Sequence, residues 1–150
     1  MGFCGISFGV LIIKVNTMKK LTTILLLSIL TYTGWTQKSP TGKWELSELT
    51  GAAKPLKEIF RNKMPTLMID AANTHFSGNN GCNQIHGNLR IKKDTLRFDS
   101  NMTSTMMACA GRGEQFFNAT LFDVNRYAIN NHELIFYKNE KELMRFRSIK

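Results

Sequence analysis

From residue 43 onward the chain is a succession of short runs in which apolar and polar positions alternate. Trp44 and Leu46 alternate with Glu45 and Ser47, which predicts a first strand over 43–49, ended by Thr50-Gly51. Residues 56–63 can form one or two helical turns after Pro55. They must stop before Pro65, because the residue preceding a proline avoids the helical region. Further strands are predicted over 66–70, 74–77, 83–91 and 94–98, the last alternating cleanly. At Glu114 the period changes. Phe117, Leu121 and Val124 recur at helical spacing, Gly113 stands just ahead, and acidic Glu114 suits the positive end of a helix over about 113–124. Strands over 126–129, 133–137 and 142–147 follow, with Asn130-Asn131 and residues 138–141 as hairpin turns. Short strands around a single principal helix predict a mainly β, α+β domain: a curved antiparallel sheet or barrel-like closure, with the helix over one opening.

The beginning of the chain follows a different pattern. Met18-Lys19-Lys20 is a short basic segment, residues 21–30 are apolar and residues 31–37 are polar with small side chains. That order is a secretory signal, too short to anchor a helix stably across a bilayer. The organisation expected is therefore an upstream extension at 1–17, a signal peptide at 18–36, a short lead at 37–41 and one domain at 42–148. Residues 1–17 fit no signal architecture well, so translation is expected to start at Met18, with a long double-hydrophobic leader or an N-terminal membrane helix as the alternative. No cysteine lies between Gly5 and Asn80, and the thiol a lipoprotein would need at the signal's end is missing. The expected destination is the periplasm or the exterior, with no stable membrane span once the signal is removed.

Export changes the meaning of charge and cysteine count. The full chain carries +9; without Lys14, Lys19 and Lys20 of the leader, seventeen basic residues face eleven acidic ones, a net +6. Such an excess favours anionic neighbours, namely anionic glycan or lipopolysaccharide, and a protein of the envelope is the other partner class. A nucleic-acid partner is not expected. Basic residues are scattered, Lys92-Lys93 is the only basic pair of the exported part, and export removes the partner. Arg90, Lys92, Arg97, Arg145 and Arg147 are candidate contacts for anions if strand alternation gathers them on one face.

Two short segments carry the most specific signal. Residues 76–83 read Phe-Ser-Gly-Asn-Asn-Gly-Cys-Asn, followed by Gly87; residues 105–109 read Thr-Met-Met-Ala-Cys, followed by Glu114 and a Phe-rich helix. In order and spacing, Gly78, Gly81, Cys82, Asn83, Gly87, Thr105, Met107, Cys109 and Glu114 resemble the signature of the META domain, the heat-shock HslJ-like family. The resemblance covers nearly the whole exported part. It implies a barrel-like antiparallel fold with one helix, and roles in stress tolerance, outer-membrane upkeep or resistance to toxic compounds. The family pattern continues with an aromatic where this chain has Leu89, which weakens any inference of an aromatic-binding groove there.

Each candidate chemistry has a plainer structural reading. Cys82 and Cys109, an exported even pair, read as a disulfide, and two buried thiols packed as small apolar groups are the alternative. Thiol catalysis is not expected, because His86, four strand residues from Cys82, lies about 13 Å away along an extended chain. Cys82, His86, Cys109 and His75 lack the paired tight spacings of zinc motifs, and no metal or cofactor is expected. Met102, Met106 and Met107 could offer thioethers to cuprous ion but read as adaptable core filling. The 78–81 turn lacks the Lys-Ser/Thr of a nucleotide loop; its glycines and asparagines read as backbone geometry, and Asn83 as a side chain bonding local backbone. Gly87 reads as a bulge or a point of close approach. Glu114 lacks a fixed carboxylate partner in Asp99 or Asp123 and reads as a helix-capping or ion-pairing residue. The expected protein is a non-enzymatic envelope domain acting through binding or structural presentation, with a small-ligand carrier built on a β-barrel cavity as the alternative. The exported protein is expected to begin near Gln37, and Edman sequencing of the secreted product checks both this and the Met18 start.

Overall fold

A computed structural model describes residues 38–150; the readings made on residues 1–37 lie outside the described residues. Nine strands are formed: β1 Gly42–Leu49, β2 Thr66–Ile69, β3 His75–Asn79, β4 Gln84–Lys92, β5 Thr95–Phe98, β6 Thr103–Ser104, β7 Arg126–Asn130, β8 Glu133–Lys138 and β9 Lys141–Ile149. Helix α1 spans Leu56–Ile59 and helix α2 Gly113–Asp123. All pairings are antiparallel, in the order β3-β2-β1-β9-β8-β7-β5-β4-β6. Because β3 also pairs with β4, the sheet returns on itself as a ring of strands, with β6 added along β4. The ring is joined unevenly. Between β5 and β7 only Thr95 and Arg126 are paired, flanked by the hydrogen bonds Leu96 N–H to Asn125 O at 3.3 Å and Tyr127 N–H to Asp94 O at 2.9 Å.

The alternation seen in the sequence places one side chain of every two inside. Trp44, Leu46 and Leu49 of β1, Leu67 and Ile69 of β2, Ile85 and Leu89 of β4, and Leu96 and Phe98 of β5 are all buried. Phe117 and Leu121 of α2, with Val124 just past its end, seat the helix on the same core, as their spacing requires. Through that core runs a continuous series of aromatic rings. Phe60 meets Phe117 at 6.5 Å between centroids, Phe117 meets Phe146 at 6.4 Å, and Phe146 meets Phe136 at 5.3 Å. Phe136 then meets Phe98 at 5.6 Å and Phe98 meets Phe76 at 4.9 Å, most of these contacts edge-on, the geometry the ring quadrupole favours. The interior is thus filled by side chains. The depressions found among the described residues open on the surface, and the central chamber of the carrier alternative is replaced by packed phenylalanine.

Of the one or two helical turns expected over 56–63, one forms, at Leu56–Ile59, because Phe60 leaves it to bury its ring against Phe117 and the chain then extends toward Pro65. The two-residue strand β6 lies in a stretch the pattern left unassigned; it is too short for alternation to show and exists through its pairing with Ile85 and His86. No described helix is long and apolar enough to cross a membrane. Replacing Phe136, central in the aromatic series, by alanine is expected to lower stability by about 3–5 kcal/mol, measured by urea denaturation followed by tryptophan fluorescence.

Candidate functional site

The signature residues converge where the β3–β4 turn meets the segment leading into α2. Asn79, Asn80 and Asn83 are buried polar groups there, and each is satisfied by the protein itself. Asn79 Oδ1 accepts from Gly81 N–H at 2.7 Å; Asn80 Oδ1 accepts from Cys82 N–H at 3.2 Å and Asn83 N–H at 2.7 Å. Asn80 Nδ2 donates to Asn118 Oδ1 of α2 at 3.2 Å. These local bonds make the turn, a role the sequence pattern assigned to Asn83.

Asn83 acts over a longer range. Its Oδ1 accepts from Thr105 Oγ1 at 2.8 Å and from Met107 N–H at 2.7 Å, and its Nδ2 donates to Met107 O at 3.2 Å and Glu114 Oε2 at 3.0 Å. Both faces of the amide are therefore satisfied, and one side chain fastens residues 105–107 and the first turn of α2 to β4. Glu114 is held in this way and forms no ion pair among the described residues, while α2 has no side-chain cap, so the capping or ion-pairing role expected for Glu114 is corrected to acceptor of the Asn83 amide. The carboxylates considered as its partners are engaged elsewhere: Asp99 lies 3.7 Å from Arg90, and Asp123 accepts from Lys138 at 2.9 Å.

Cys82 and Cys109 form a disulfide with Cα atoms 5.9 Å apart. Closing a loop of 27 positions, it stabilises by about 3–4 kcal/mol in the chain-entropy account. Met106 and Met107 are not core filling. The two residues are 99% and 62% exposed, and the backbone N–H and carbonyl of Met107 are both bonded to the Asn83 amide. Met102 alone of the three packs against the core.

The glycines mark close approaches. Gly81 has φ +98°, a conformation open to glycine, and a Cβ there would run into the Phe60 ring. Gly78 has no room for a side chain beside the Thr66 carbonyl, and Gly87 stands opposite Phe76 in the β3–β4 register, the Phe76 ring 2.9 Å from where its Cβ would lie. Both ends of the aromatic series thus rest on signature glycines.

The histidines stand apart from the sulfurs. His75 Nδ1 lies 2.9 Å from Thr74 Oγ1 and 3.4 Å from Asp70 Oδ2, and the backbone N–H groups of His75 and Thr74 hold the Asp70 carboxyl below its usual range. His86 is exposed on β4 opposite Ser77 and Thr103. Among the described residues no group of three or more His, Cys, Asp or Glu is placed to hold a metal ion.

The five basic residues singled out in the sequence separate into two sets. Arg145, on β9, contacts Glu48, Glu133 and Glu142, and its bond to Glu142 raises its pKa further above the ordinary arginine value; Arg147 pairs with Glu45. Those two are neutralised in place. Arg90 and Lys92 share one face of β4, and Arg97 of β5 stands directly opposite Arg90 on that face. Among the described residues neither Lys92 nor Arg97 has an ion-pair partner.

Sequence reasoning missed a cleft of about 540 Å³ beside the disulfide, between the loop after β1, helix α1 and residues 110–113. Ile59 and Phe116 line it, and Lys54, Arg61 and Arg112 stand exposed at its edge with Glu58. Its residues come from three separate stretches of chain, so no local pattern announces it.

The fold and the junction define a small, mainly antiparallel β domain whose most distinctive residues are absorbed in its own architecture. The chain belongs to the META domain family, whose model matches residues 37–150. No curated protein matches it. Among solved structures, an NMR structure of a protein from Burkholderia xenovorans is similar, with a TM-score of 0.56 at 20% identity over 80% of this chain and 98% of that one. A crystal structure of a duf4847 family protein from Bacteroides vulgatus has a TM-score of 0.51 at 14% identity over 73% of this chain and 94% of that one. At these identities the likeness is one of fold. Asn83→Ala leaves the Thr105 hydroxyl, the Met107 N–H and the Glu114 carboxylate without their partner, and is expected to cost about 2–3 kcal/mol. The same variant is expected to be cut faster by trypsin at Arg112, read by gel time course.

Proposed function

We propose that this META domain is a non-enzymatic, exported protein of the cell envelope that binds an anionic envelope component, an acidic glycan or lipopolysaccharide, through Arg90, Lys92 and Arg97. One observation carries the reading: Arg90 and Arg97 are cross-strand partners. Like charges directly opposite each other destabilise a sheet, and here a single acidic neighbour, Asp99, approaches one of them. A cost to folding with so little return inside the molecule is what a surface shaped for an external anion would show. The absorption of Asn83, Glu114 and both sulfurs into the framework supports the non-enzymatic part of the proposal, since a general base or nucleophile must be free to meet a substrate. The net +6 expected of the exported part is consistent with a polyanionic partner. Participation in stress tolerance or outer-membrane upkeep belongs to the same proposal.

The triple variant Arg90→Glu/Lys92→Glu/Arg97→Glu removes the cationic face while leaving the core untouched. Wild type is expected to be retained by immobilised lipopolysaccharide at about 20 mM salt and released by about 0.5 M, as screening predicts. The variant should pass through unretained. Equal retention of the two proteins, or retention of wild type that survives high salt, would reject the polyanion reading, the latter in favour of apolar contact with the lipid.

A further inference from the structure

A second surface, remote in sequence from the β4–β5 face, has the makings of a small-molecule site. We infer that the cleft between helix α1 and residues 110–113 binds a small amphipathic anion, in chemical class a medium-chain monocarboxylate, with its tail on Ile59 and Phe116 and its carboxylate at Arg112 and Lys54. The cleft, at about 540 Å³, falls within the range of ligand pockets, and like them it is chiefly apolar with a few charged groups at its edge. Ile59 and Phe116 are only partly buried, although both pack against the core, so they offer apolar surface that a hydrocarbon chain would remove from water.

Charge determines which end of a ligand goes where. Lys54, Arg61 and Arg112 face a single acid, Glu58, and among the described residues none of the three cations is in an ion pair. Arg61 Nε donates to the Glu58 backbone carbonyl at 3.3 Å, which fixes that side chain along the edge and leaves its terminal nitrogens unused. An uncharged ligand would meet the apolar wall but leave these cations without partners; a small inorganic anion would do the reverse. An aliphatic carboxylate satisfies both.

The wall carrying Arg112 is held before any ligand arrives. Cys109 is bonded to Cys82, and Asn83 fixes both the Met107 backbone and Glu114, so residues 110–112 are anchored on either side. A wall ordered in advance lowers the entropic cost of binding. The signature motif thereby gains a second consequence: the turn that closes the fold also sets one side of the cleft.

The test is titration of the purified protein with octanoate, 1-octanol and acetate at fixed ionic strength, followed by amide chemical shifts. Octanoate is expected to shift Ile59, Gly111, Gly113 and Phe116 saturably, and to bind about tenfold or more tightly than octanol or acetate, the factor one charge-assisted contact supplies. Arg112→Glu with Lys54→Glu, both on exposed side chains, should abolish that preference, whereas Lys141→Glu, exposed at the β8–β9 turn, should leave it unchanged. Octanol binding as well as octanoate would reduce the site to an unspecific apolar patch. Acetate binding equally would reduce it to ion exchange, and shifts confined to other residues, or unaffected by the double variant, would overturn the inference outright. Because the β4–β5 face is absent from this test, its failure and the failure of the polyanion reading are separate results.

Discussion

Six phenylalanine rings in contact, most of them edge to face, from Phe60 through Phe117, Phe146, Phe136 and Phe98 to Phe76, are the constraint that most of this domain answers to. They fill the space that a ring of antiparallel strands would otherwise leave open, and they decide where the backbone must do without side chains. Gly81 yields to Phe60 at one end and Gly87 to Phe76 at the other. They also place α2, since Phe117 is the helix's contribution to the series. A mainly β fold with, among the described residues, one long helix is then a packing solution, in which the helix supplies an aromatic to the series.

On this frame the buried amide of Asn83 performs the second organising task, joining the sheet to the segment that enters α2. The disulfide makes the same connection covalently one residue away. Two devices at one junction leave its chemistry inward-facing, and two cationic surfaces remain free: the Arg90–Arg97 face and the edge of the α1 cleft. Function in this domain is therefore sought where its structure is least committed.

The course of the chain was readable because alternation and helical spacing are local. Trp44 and Leu46, Leu96 and Phe98, and the Phe117–Leu121–Val124 repeat each announce their element within a few residues, and the META resemblance is carried by two short segments, 76–83 and 105–109. What stayed hidden depends on partners far away in sequence. Gly81 is required by a ring 21 positions earlier, Asn83 acts on a segment more than twenty residues later, and nothing near Glu114 shows that it receives that amide. Met107 was misread for the same reason: a methionine beside alanine and cysteine looks like core until its backbone is seen to be held from outside the segment. The separation of Arg145 and Arg147 from Arg90, Lys92 and Arg97 likewise follows from which glutamates the sheet brings alongside.

The uneven joining of the ring has a mechanical meaning. Strands β8 and β9, or β1 and β9, are linked along most of their length, whereas β5 meets β7 through one residue pair and two flanking hydrogen bonds. Free energies of local opening follow the number of bonds that must be released together. The ring therefore has a zip at this seam, which is expected to part before the long joints β8–β9 and β1–β9. Exchange of solvent deuterium at Leu96 is then expected to outrun exchange at the centre of β8 and β9, with the cationic hairpin β4–β5 as the leaf on one side of the opening.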